Sequence, residues 1–234
     1  ELSQRNSYHR CAETRMRLSF EKLATFVKDE DRIFDIGGTN STEELFRIAG
    51  LNHYEHLCLP TDIRSEKIPV PKDSYDVVIS WETIEHLWVI DRHTGNLSWN
   101  GIINFWTEAE RVLRPGGYFF LTTPNRYCPR TLRTYFLNLV PQIYPPQIGP
   151  QGILGGHTSE LSGRDLRMIA QATGTFTDIE VTSKDCYSHM YDIPYSDDQF
   201  VKWVGHFADL LGRVPYNEEL HDTLFFVARK TWKQ

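Results

Sequence analysis

An acidic residue and two glycines follow a short apolar run in the segment RIFDIGGTNS, residues 32 to 41. Asp35 offers a carboxylate there, while Gly37 and Gly38 allow a ligand to come close to the backbone. A dinucleotide would need the backbone amides of a G-x-G-x-x-G turn for its pyrophosphate, and this segment does not carry that pattern. The residue types therefore favour a cationic group beside Asp35, with an ordinary strand-to-helix turn as the alternative.

Three histidines have the chemistry to take up a proton near neutral pH, which an attacking hydroxyl would require. They are His86 in the run Glu85-His86-Leu87, His157 in GGHTSEL, and His189. For each of them the alternative is a solvated or structural histidine. Asp91 and His93 form a D-x-H pair that suggests a divalent cation, but such cations need more oxygen ligands than this stretch offers, so no metal is predicted.

Aromatic and basic side chains gather in the second half of the chain. Three arginines after the TTPN turn, Arg126, Arg130 and Arg133, are suited to an acceptor phosphate, with exposed helix arginines as the alternative. The aromatic residues suit a sugar ring through stacking and hydroxyl contacts, or else form the core of a lid. These aromatic residues are Tyr127, Tyr135, Tyr144, Tyr187, Tyr191, Tyr195 and Trp203.

Strands and helices alternate along the chain, which predicts an α/β fold with a mainly parallel sheet covered on both faces. The predicted strands are RIFDI (32–36), HLCL (56–59), YDVVIS (75–80), YFFLTT (118–123), TFTDIEVTS (175–183) and TLFFVAR (223–229). The predicted helices span residues 7–28, 41–49 with Ser41 or Thr42 as cap, 101–113, 162–173 and 197–211. Residues 124–160 and 186–221 are predicted to be lid-like insertions.

Length and composition narrow the class of protein. A chain of 234 residues with 40% hydrophobic content predicts one domain over residues 1–234. The formal charge of −6 argues against nucleic acid as a partner. The four cysteines are scattered and no run is long enough for a membrane span, which predicts a cytoplasmic protein. The chain begins at Glu1 and not at Met, which leaves open that it is cut from a longer polypeptide. A neighbouring domain or a second copy of the chain is considered as a partner.

Three segments in order resemble the class I S-adenosylmethionine-dependent methyltransferases, in particular the branch that acts on small molecules. They are RIFDIGGTN, IPVPKDSYDVVISWETIEHL and EAERVLRPGGYFFLTTPN, and HTSELSGRDLRMIAQATG and LFFVARK are also similar to later parts of that family. The resemblance implies a Rossmann-like sheet of seven strands, mostly parallel with an antiparallel last strand. It also implies S-adenosylmethionine as cofactor, bound at the carboxyl ends of the first strands, where an open α/β sheet forms a crevice.

The resemblance assigns roles to individual residues of this chain. The amino acid part of the donor falls to the turn formed by Asp35, Gly37, Gly38, Thr39 and Asn40. Adenine falls to Asp62 and Ile63, and the floor of the pocket to Ser80, Trp81 and Glu82. By the same resemblance His157 faces the acceptor, so we rank it first as catalytic base, His86 second and His189 third.

Two departures from the family pattern affect the donor site. The usual turn has more glycines, and Asn40 is expected to take a left-handed backbone conformation in place of one of them. The interval between Gly38 and Asp62 is too short for a complete extra strand and helix, so the second βα unit is predicted to be shortened. Glu55, which has the spacing of the family's ribose-binding acid, is better explained as a surface glutamate.

These observations predict methyl transfer from S-adenosylmethionine to a small-molecule or glycan acceptor, preferably a hydroxyl of a sugar or related metabolite. The alternative from another class is a non-catalytic scaffold, in which the methyltransferase fold keeps an eroded cofactor site. A nicotinamide-dependent oxidoreductase is disfavoured because the phosphate-binding turn is lacking.

Overall fold

The computed structural model describes residues 2–57, 61–90, 97–128, 147–149, 152–155, 160–186 and 221–232. The helices are α1 (Leu2–Leu23), α2 (Asn40–Ile48), α3 (Asn100–Val112) and α4 (Gly163–Thr173). The strands are β1 (Ile33–Asp35), β2 (Tyr54–His56), β3 (Tyr75–Trp81), β4 (Val89–Ile90), β5 (Leu97–Ser98), β6 (Leu113–Pro124), β7 (Gln147–Gly149), β8 (Gly152–Gly155), β9 (Phe176–Lys184) and β10 (Thr223–Lys230).

Six of these strands form one sheet in the order β2-β1-β3-β6-β10-β9. Strands β2, β1, β3 and β6 are parallel, and β10 runs antiparallel to both β6 and β9. This confirms the Rossmann-like sheet with an antiparallel last strand. The seven strands implied by the resemblance are reduced to six in the described part of the chain, where a turn and no helix lies between β2 and β3. That arrangement agrees with the shortened second βα unit.

The sheet is packed on both faces because its strands place apolar side chains alternately up and down. One face joins Phe34, Val78 and Phe119 to the apolar sides of α3 and α4. The opposite face joins Ile33, Val77 and Phe120 to Leu23 of α1 and Phe46 of α2. Asp35 shares the second face with Ile33 by this alternation, so the carboxylate is directed to the side where α2 lies.

Several boundaries differ from the predicted ones. Helix α1 ends at Leu23 and not at residue 28, and the chain continues in a turn in which Thr25 N and Phe26 N bond to the carbonyls three residues earlier. Phe26 still packs against Phe120 at a ring distance of 5.9 Å, which explains why it fitted the apolar pattern. Strand β2 lies at Tyr54–His56 and only meets the start of the predicted HLCL, since pairing with β1 places Tyr54 opposite Ile33.

Strand β6 begins earlier than the predicted YFFLTT. Leu113 already pairs with Tyr75, and the register then shifts so that Tyr118 pairs with Val77. The residues between them, RPGG, form the irregularity. A Cβ on Gly117 would lie 2.6 Å from Asp76 O, so glycine is required at that close approach.

Helices α3 and α4 confirm the predicted segments to within about two residues, as expected for such boundaries. Helix α4 begins after Ser162, whose side chain accepts a hydrogen bond from Asp165 N, and it ends at Gly174 with φ +62°. The predicted helix at 197–211 and most of both insertions lie outside the described residues. No helix in the described part of the chain combines the length and hydropathy that a membrane crossing needs.

Candidate active site

The turn after β1 contains two glycines that make room for neighbouring side chains. Gly37 has φ +108°, and a Cβ at this position would collide with Thr83 Oγ1 beyond the end of β3. A Cβ on Gly38 would lie 2.6 Å from Asp35 Oδ2 and 2.5 Å from Tyr54 Oη. Glycine is therefore required at both positions by the packing, and the turn joins the ends of β1, β2 and β3 at one edge of the sheet.

Asp35 is almost completely buried beneath this turn, with 1% of its surface exposed. Its Oδ2 accepts a hydrogen bond of 2.8 Å from the Tyr54 hydroxyl, while Oδ1 has no partner among the described residues. Burial raises the pKa of Asp35 from 3.8 to about 7, against the opposing effect of the Tyr54 hydrogen bond. A cation beside Oδ1 would both supply the missing contact and favour the ionised carboxylate.

The residues that follow the glycines form the start of α2. Thr39 is the N-cap: its Oγ1 accepts from Thr42 N, and Thr42 Oγ1 accepts from Thr39 N. Helix α2 therefore begins at Asn40, which corrects the expected cap at Ser41 or Thr42. It also corrects the left-handed conformation expected for Asn40, because this residue is already in the first helical turn. The hydrogen bonds between Thr39 and Thr42 close the turn, so no left-handed residue is needed at position 40.

The end of β3 is bonded directly to the glycine turn. Ser80 is buried and its hydroxyl donates a 2.6 Å hydrogen bond to Ile36 O. Trp81 stacks on Phe46 of α2 at a ring distance of 5.6 Å and meets Phe20 of α1 edge-on at 5.5 Å. These contacts give Ser80 a role in holding the turn and pack Trp81 against two helices, while a place for either residue in a pocket floor stays a prediction.

Glu82 follows Trp81 in a backbone conformation with φ +52°, which is rare for a residue with a side chain. Its Oε2 lies 3.4 Å from Arg15 Nη1 of α1, and both side chains are largely buried. The ion pair connects the N-terminal helix to the end of the central strand.

Glu85 is the residue of this region that the sequence interpretation missed. It lies in a short 3-10 helix, Ile84–His86, is fully buried, and accepts a 3.1 Å hydrogen bond from Thr123 Oγ1 at the end of β6. Burial, followed by the charge of Glu82, raises the pKa of Glu85 well above its usual range, so the neutral acid is favoured. The sequence feature that pointed to its burial is its position between two apolar residues, Ile84 and Leu87, which are both buried.

His86, next to the buried Glu85, remains partly accessible. Its side chain is 40% exposed, and Nε2 lies 3.9 Å from Glu85 Oε1. Of the three histidines proposed as a base, it is the one that the structure describes. His157 and His189 lie outside the described residues, as do Asp91 and His93. Among the residues that are described, no three His, Cys, Asp or Glu side chains gather as a metal site would require.

The second predicted acid, Asp62, is held by its own neighbour. Arg64 donates from Nε and Nη2 to the two carboxylate oxygens at 2.8 and 2.9 Å, and these hydrogen bonds lower the pKa of Asp62. A carboxylate has about four lone-pair positions, so it can still accept from a ligand. Ile63 is buried, and its carbonyl accepts a 2.8 Å hydrogen bond from Asn104 of α3.

Glu55 and Arg126, which were considered for ligand roles, both have partners within the chain. Glu55 is exposed and accepts a 2.8 Å hydrogen bond from the Tyr75 hydroxyl, in agreement with a surface glutamate. Arg126 donates through Nε to Glu160 O at 2.6 Å and lies 3.7 Å from Asp165 Oδ2. It therefore links the turn after β6 to the start of α4.

Of the other arginines and aromatic residues considered for the acceptor, Tyr127 is the one within the described residues. Tyr127 is half exposed. The remaining members of both sets lie outside the described residues: Arg130, Arg133, Tyr135, Tyr144, Tyr187, Tyr191, Tyr195 and Trp203.

With this geometry established, comparison with known proteins identifies the family. Residues 3–180 match the family model of a methyltransferase domain. The chain belongs to that family. Its class I fold and its methyl donor, S-adenosylmethionine, are thereby confirmed.

Individual relatives agree with this assignment. A 60-residue stretch is 43% identical to a protein of Mycolicibacterium smegmatis named a probable S-adenosylmethionine-dependent methyltransferase, and the match covers 26% of this chain and 19% of that protein. A SAM-dependent methyltransferase from Archaeoglobus fulgidus superposes with a TM-score of 0.55 at 14% identity, covering 92% of this chain and 93% of that one.

A further structure, from a complex of the Haloferax volcanii Trm112 methyltransferase activator with a methyltransferase, gives a TM-score of 0.54 at 16% identity. It covers 99% of this chain and 94% of that chain. At such low identity these two superpositions establish the fold alone.

The residues at the sheet edge fit the donor. Its ammonium group is a cation, and the buried Oδ1 of Asp35 is an acceptor without a partner among the described residues. The glycine turn offers backbone without side chains next to that oxygen. The assignment of adenine to Asp62 and Ile63 stays a prediction; Arg64 bonds to the Asp62 carboxylate, and Asn104 bonds to the Ile63 carbonyl.

Proposed function

We propose that the chain transfers a methyl group from S-adenosylmethionine to a hydroxyl of a sugar or a related small metabolite. Bound in the site, the donor supplies an electrophilic methyl group on a positively charged sulfur. Alignment of the reactants and exclusion of water are then the main tasks of the protein, so no covalent residue is required.

The observation that carries the proposal is the buried Asp35 with an unpartnered Oδ1 beneath the glycine turn. A buried carboxylate without a cation is costly, and burial pushes the Asp35 pKa to about 7. A bound ammonium group would relieve that cost. The acid and the glycines therefore support donor binding at this edge of the sheet.

For the acceptor, a hydroxyl is favoured because histidines are available to remove its proton. His157 remains the first candidate on the basis of the sequence. His86 is supported by its partly exposed ring in the 3-10 helix that follows β3, next to the buried acid Glu85.

Four cysteines without a paired spacing support a cytoplasmic setting, where buried thiols such as Cys128 and Cys186 stay reduced.

The direct test measures donor binding by calorimetry and then methyl transfer by mass spectrometry, with labelled donor and a panel of free and nucleotide-linked sugars. Asp35→Asn should abolish donor binding, whereas Asp178→Asn at an exposed position of β9 should leave it unchanged. Normal binding by the first variant would show that the turn has been wrongly assigned.

A second set of variants distinguishes an effect of the histidines on turnover from an effect on donor binding. His157→Gln and His86→Gln should each bind the donor normally, and the variant that removes the base should lose turnover by about a hundredfold. His53→Gln, at an exposed position before β2, is the matched control. Full turnover in both variants would exclude His157 and His86 as the base, which would leave His189 or a carbon or amine acceptor.

A non-catalytic scaffold is the second candidate. It is favoured by Glu55, which is engaged by Tyr75 and Arg32 and leaves no described acid at the usual ribose position. Absence of binding of both S-adenosylmethionine and S-adenosylhomocysteine at millimolar concentration would support it over the enzyme.

A further inference from the structure

Tyr54 connects the shortened second unit of the fold to the proposed donor site. It lies on β2 opposite Ile33, and its ring stacks on Phe46 of α2 at a centroid distance of 4.3 Å. The tyrosine is 9% exposed, and its hydroxyl lies 2.8 Å from Asp35 Oδ2. The ring is thus fixed by packing, and the hydroxyl has one defined carboxylate partner.

The proton of this hydrogen bond stays on Tyr54. Burial, and then the charge of Asp35, raise the pKa of Tyr54 far above its ordinary range. The phenol therefore remains the donor at any pH at which the protein is studied, and Oδ2 remains the acceptor. Gly38 makes room for this hydroxyl, since a Cβ there would lie 2.5 Å from it.

We propose that Tyr54 is a positioning residue for the methyl donor: it occupies Oδ2 of Asp35 and leaves Oδ1 to accept the donor's ammonium group. The inference rests on the proposed function, because it assigns to Asp35 the amino acid part of the donor. Oδ1 is buried and has no partner among the described residues, as an acceptor reserved for a ligand should be. Tyr54 thereby takes part in donor binding without touching the donor.

Charged and titratable groups around Asp35 are few in the described structure. On β2 they are Tyr54 and His56, whose backbone pairs with Asp35, and His56 Nδ1 lies 3.6 Å from Glu43 Oε2 of α2. On the other side, β3 places the apolar Ile79 opposite Asp35. The hydrogen bond from Tyr54 stabilises the ionised form of Asp35, so it lowers the pH above which the carboxylate can hold a cation.

The test compares the wild type with Tyr54→Phe, which removes the hydroxyl and keeps the ring. The affinity for S-adenosylhomocysteine is measured by calorimetry from about pH 5.5 to about pH 8.5, a window that spans the pKa of Asp35. Wild-type affinity should rise with pH through about 7. The variant should bind roughly tenfold more weakly at neutral pH, with its midpoint moved to higher pH and the affinity regained towards the alkaline end.

Two controls separate positioning from a general loss of structure. Tyr75→Phe removes the hydroxyl that donates to the exposed Glu55 on the same sheet and should not move the profile. The second control is 5′-methylthioadenosine, which lacks the amino acid part and should bind wild type and Tyr54→Phe equally at every pH. Asp35→Asn should abolish binding of S-adenosylhomocysteine at every pH without unfolding the chain, as checked by circular dichroism.

The outcomes are distinct. If the wild type binds S-adenosylhomocysteine and Tyr54→Phe gives the same affinity and the same pH profile, Tyr54 does not position Asp35 and the proposed function still stands. Equal weakening of 5′-methylthioadenosine would also overturn the inference, because the effect would not concern the amino group. If the wild type binds no donor and no product at any pH, the proposed function itself fails.

Discussion

At the scale of single residues, Asp35 shows a conflict between stability and function. Its carboxyl is buried with one unpartnered oxygen, and the rise of its pKa from 3.8 to about 7 corresponds to roughly 4 kcal/mol in favour of the neutral form. Residues whose ionised form is needed for binding are often held in surroundings that oppose ionisation. The donor would recover part of that energy when it binds.

Asp35→Asn should therefore stabilise the chain at alkaline pH while it removes donor binding. Because the folded pKa lies above the unfolded one, folded Asp35 holds a proton that the unfolded chain has lost between pH 3.8 and about 7. Wild-type stability falls as the pH rises through this window, and the asparagine variant avoids the loss. The gain in free energy of unfolding should approach, at most, about 4 kcal/mol above pH 7 and vanish near pH 4.

Urea titrations at several pH values, with Asp178→Asn as the exposed control, measure this difference. A variant that is less stable than the wild type by the same amount at acidic and at alkaline pH would contradict the argument. In that case the carboxylate would contribute a hydrogen bond and no charge penalty.

At the scale of elements, α3 replaces the support that a complete second βα unit would give to the segment before β3. Asn104 Nδ2 donates to Ile63 O at 2.8 Å and to Glu66 O at 2.9 Å. One turn further on, Glu108 accepts from Ile68 N at 2.7 Å, and Arg111 donates to Ile68 O and Val70 O. A segment without its own helix in the described residues is thus held by side chains of a neighbouring helix.

Asn104→Ala should weaken donor binding as well as the fold. The substitution removes two hydrogen bonds to backbone carbonyls, each worth about 1 kcal/mol, and frees the segment that carries Asp62 and Ile63. The proposed adenine site would then lose its order. Affinity for both S-adenosylhomocysteine and 5′-methylthioadenosine should fall by about tenfold, as measured by calorimetry.

Asn100→Ala, at the exposed start of the same helix, is the matched variant and should bind normally. The pH profile of S-adenosylhomocysteine binding should keep its midpoint in Asn104→Ala, since Asp35 is untouched. Unchanged affinity for both compounds would mean that residues 61–66 do not contact the adenine.

Patterns of apolar and capping residues correctly predicted those helices and strands that are determined by their own residues. Helix α4 follows from Ser162, Asp165 and Gly174, which supply both ends of the helix within its own sequence. Strand β3 follows from its continuous apolar run. The position of β2 was wrong because it depends on pairing with β1 and on the contact between Tyr54 and Asp35, which are far apart in sequence.

The sequence predicted the residues of the glycine turn in the candidate site, but it did not predict the hydrogen bonds that surround that turn. Asp35, Gly37 and Gly38 were evident from a short run of sequence. Glu85 was missed because its burial and its hydrogen bond from Thr123, at the end of a different strand, arise only in the folded chain. The cap at Thr39 was missed because helix-favouring residues start later, while the decisive hydrogen bonds come from a threonine pair.

At the scale of the whole molecule, two lysines connect parts of the chain that are distant in sequence. Lys22 at the end of α1 donates to both carboxylate oxygens of Glu180 on β9, and these side chains are substantially exposed. Lys230 at the end of β10 is 4% exposed and donates to Asp73 Oδ1 at 2.8 Å, Glu110 O at 2.8 Å and Leu113 O at 2.6 Å. Lys230 thus joins the last strand to the end of α3 and to the turn before β3.

Burial determines which of these two lysines matters for stability. Lys230→Met leaves two backbone carbonyls and a carboxylate without their donor, so the free energy of unfolding should fall by about 3 kcal/mol. Lys22→Met breaks an exposed ion pair and should cost less than about 1 kcal/mol. Burial raises the pKa of Asp73, but the hydrogen bond and charge of Lys230 outweigh it and bring that pKa below its ordinary value.

The contribution of the Lys230 pair is therefore present at neutral pH and is lost as the pH falls through the lowered pKa of Asp73. The stability difference between wild type and Lys230→Met should narrow in strong acid, while the smaller effect of Lys22→Met should shrink with added salt. Urea titrations of both variants at neutral and acidic pH, with and without salt, measure these changes. Equal losses in the two variants at neutral pH would mean that the buried lysine does not hold the last strand in place.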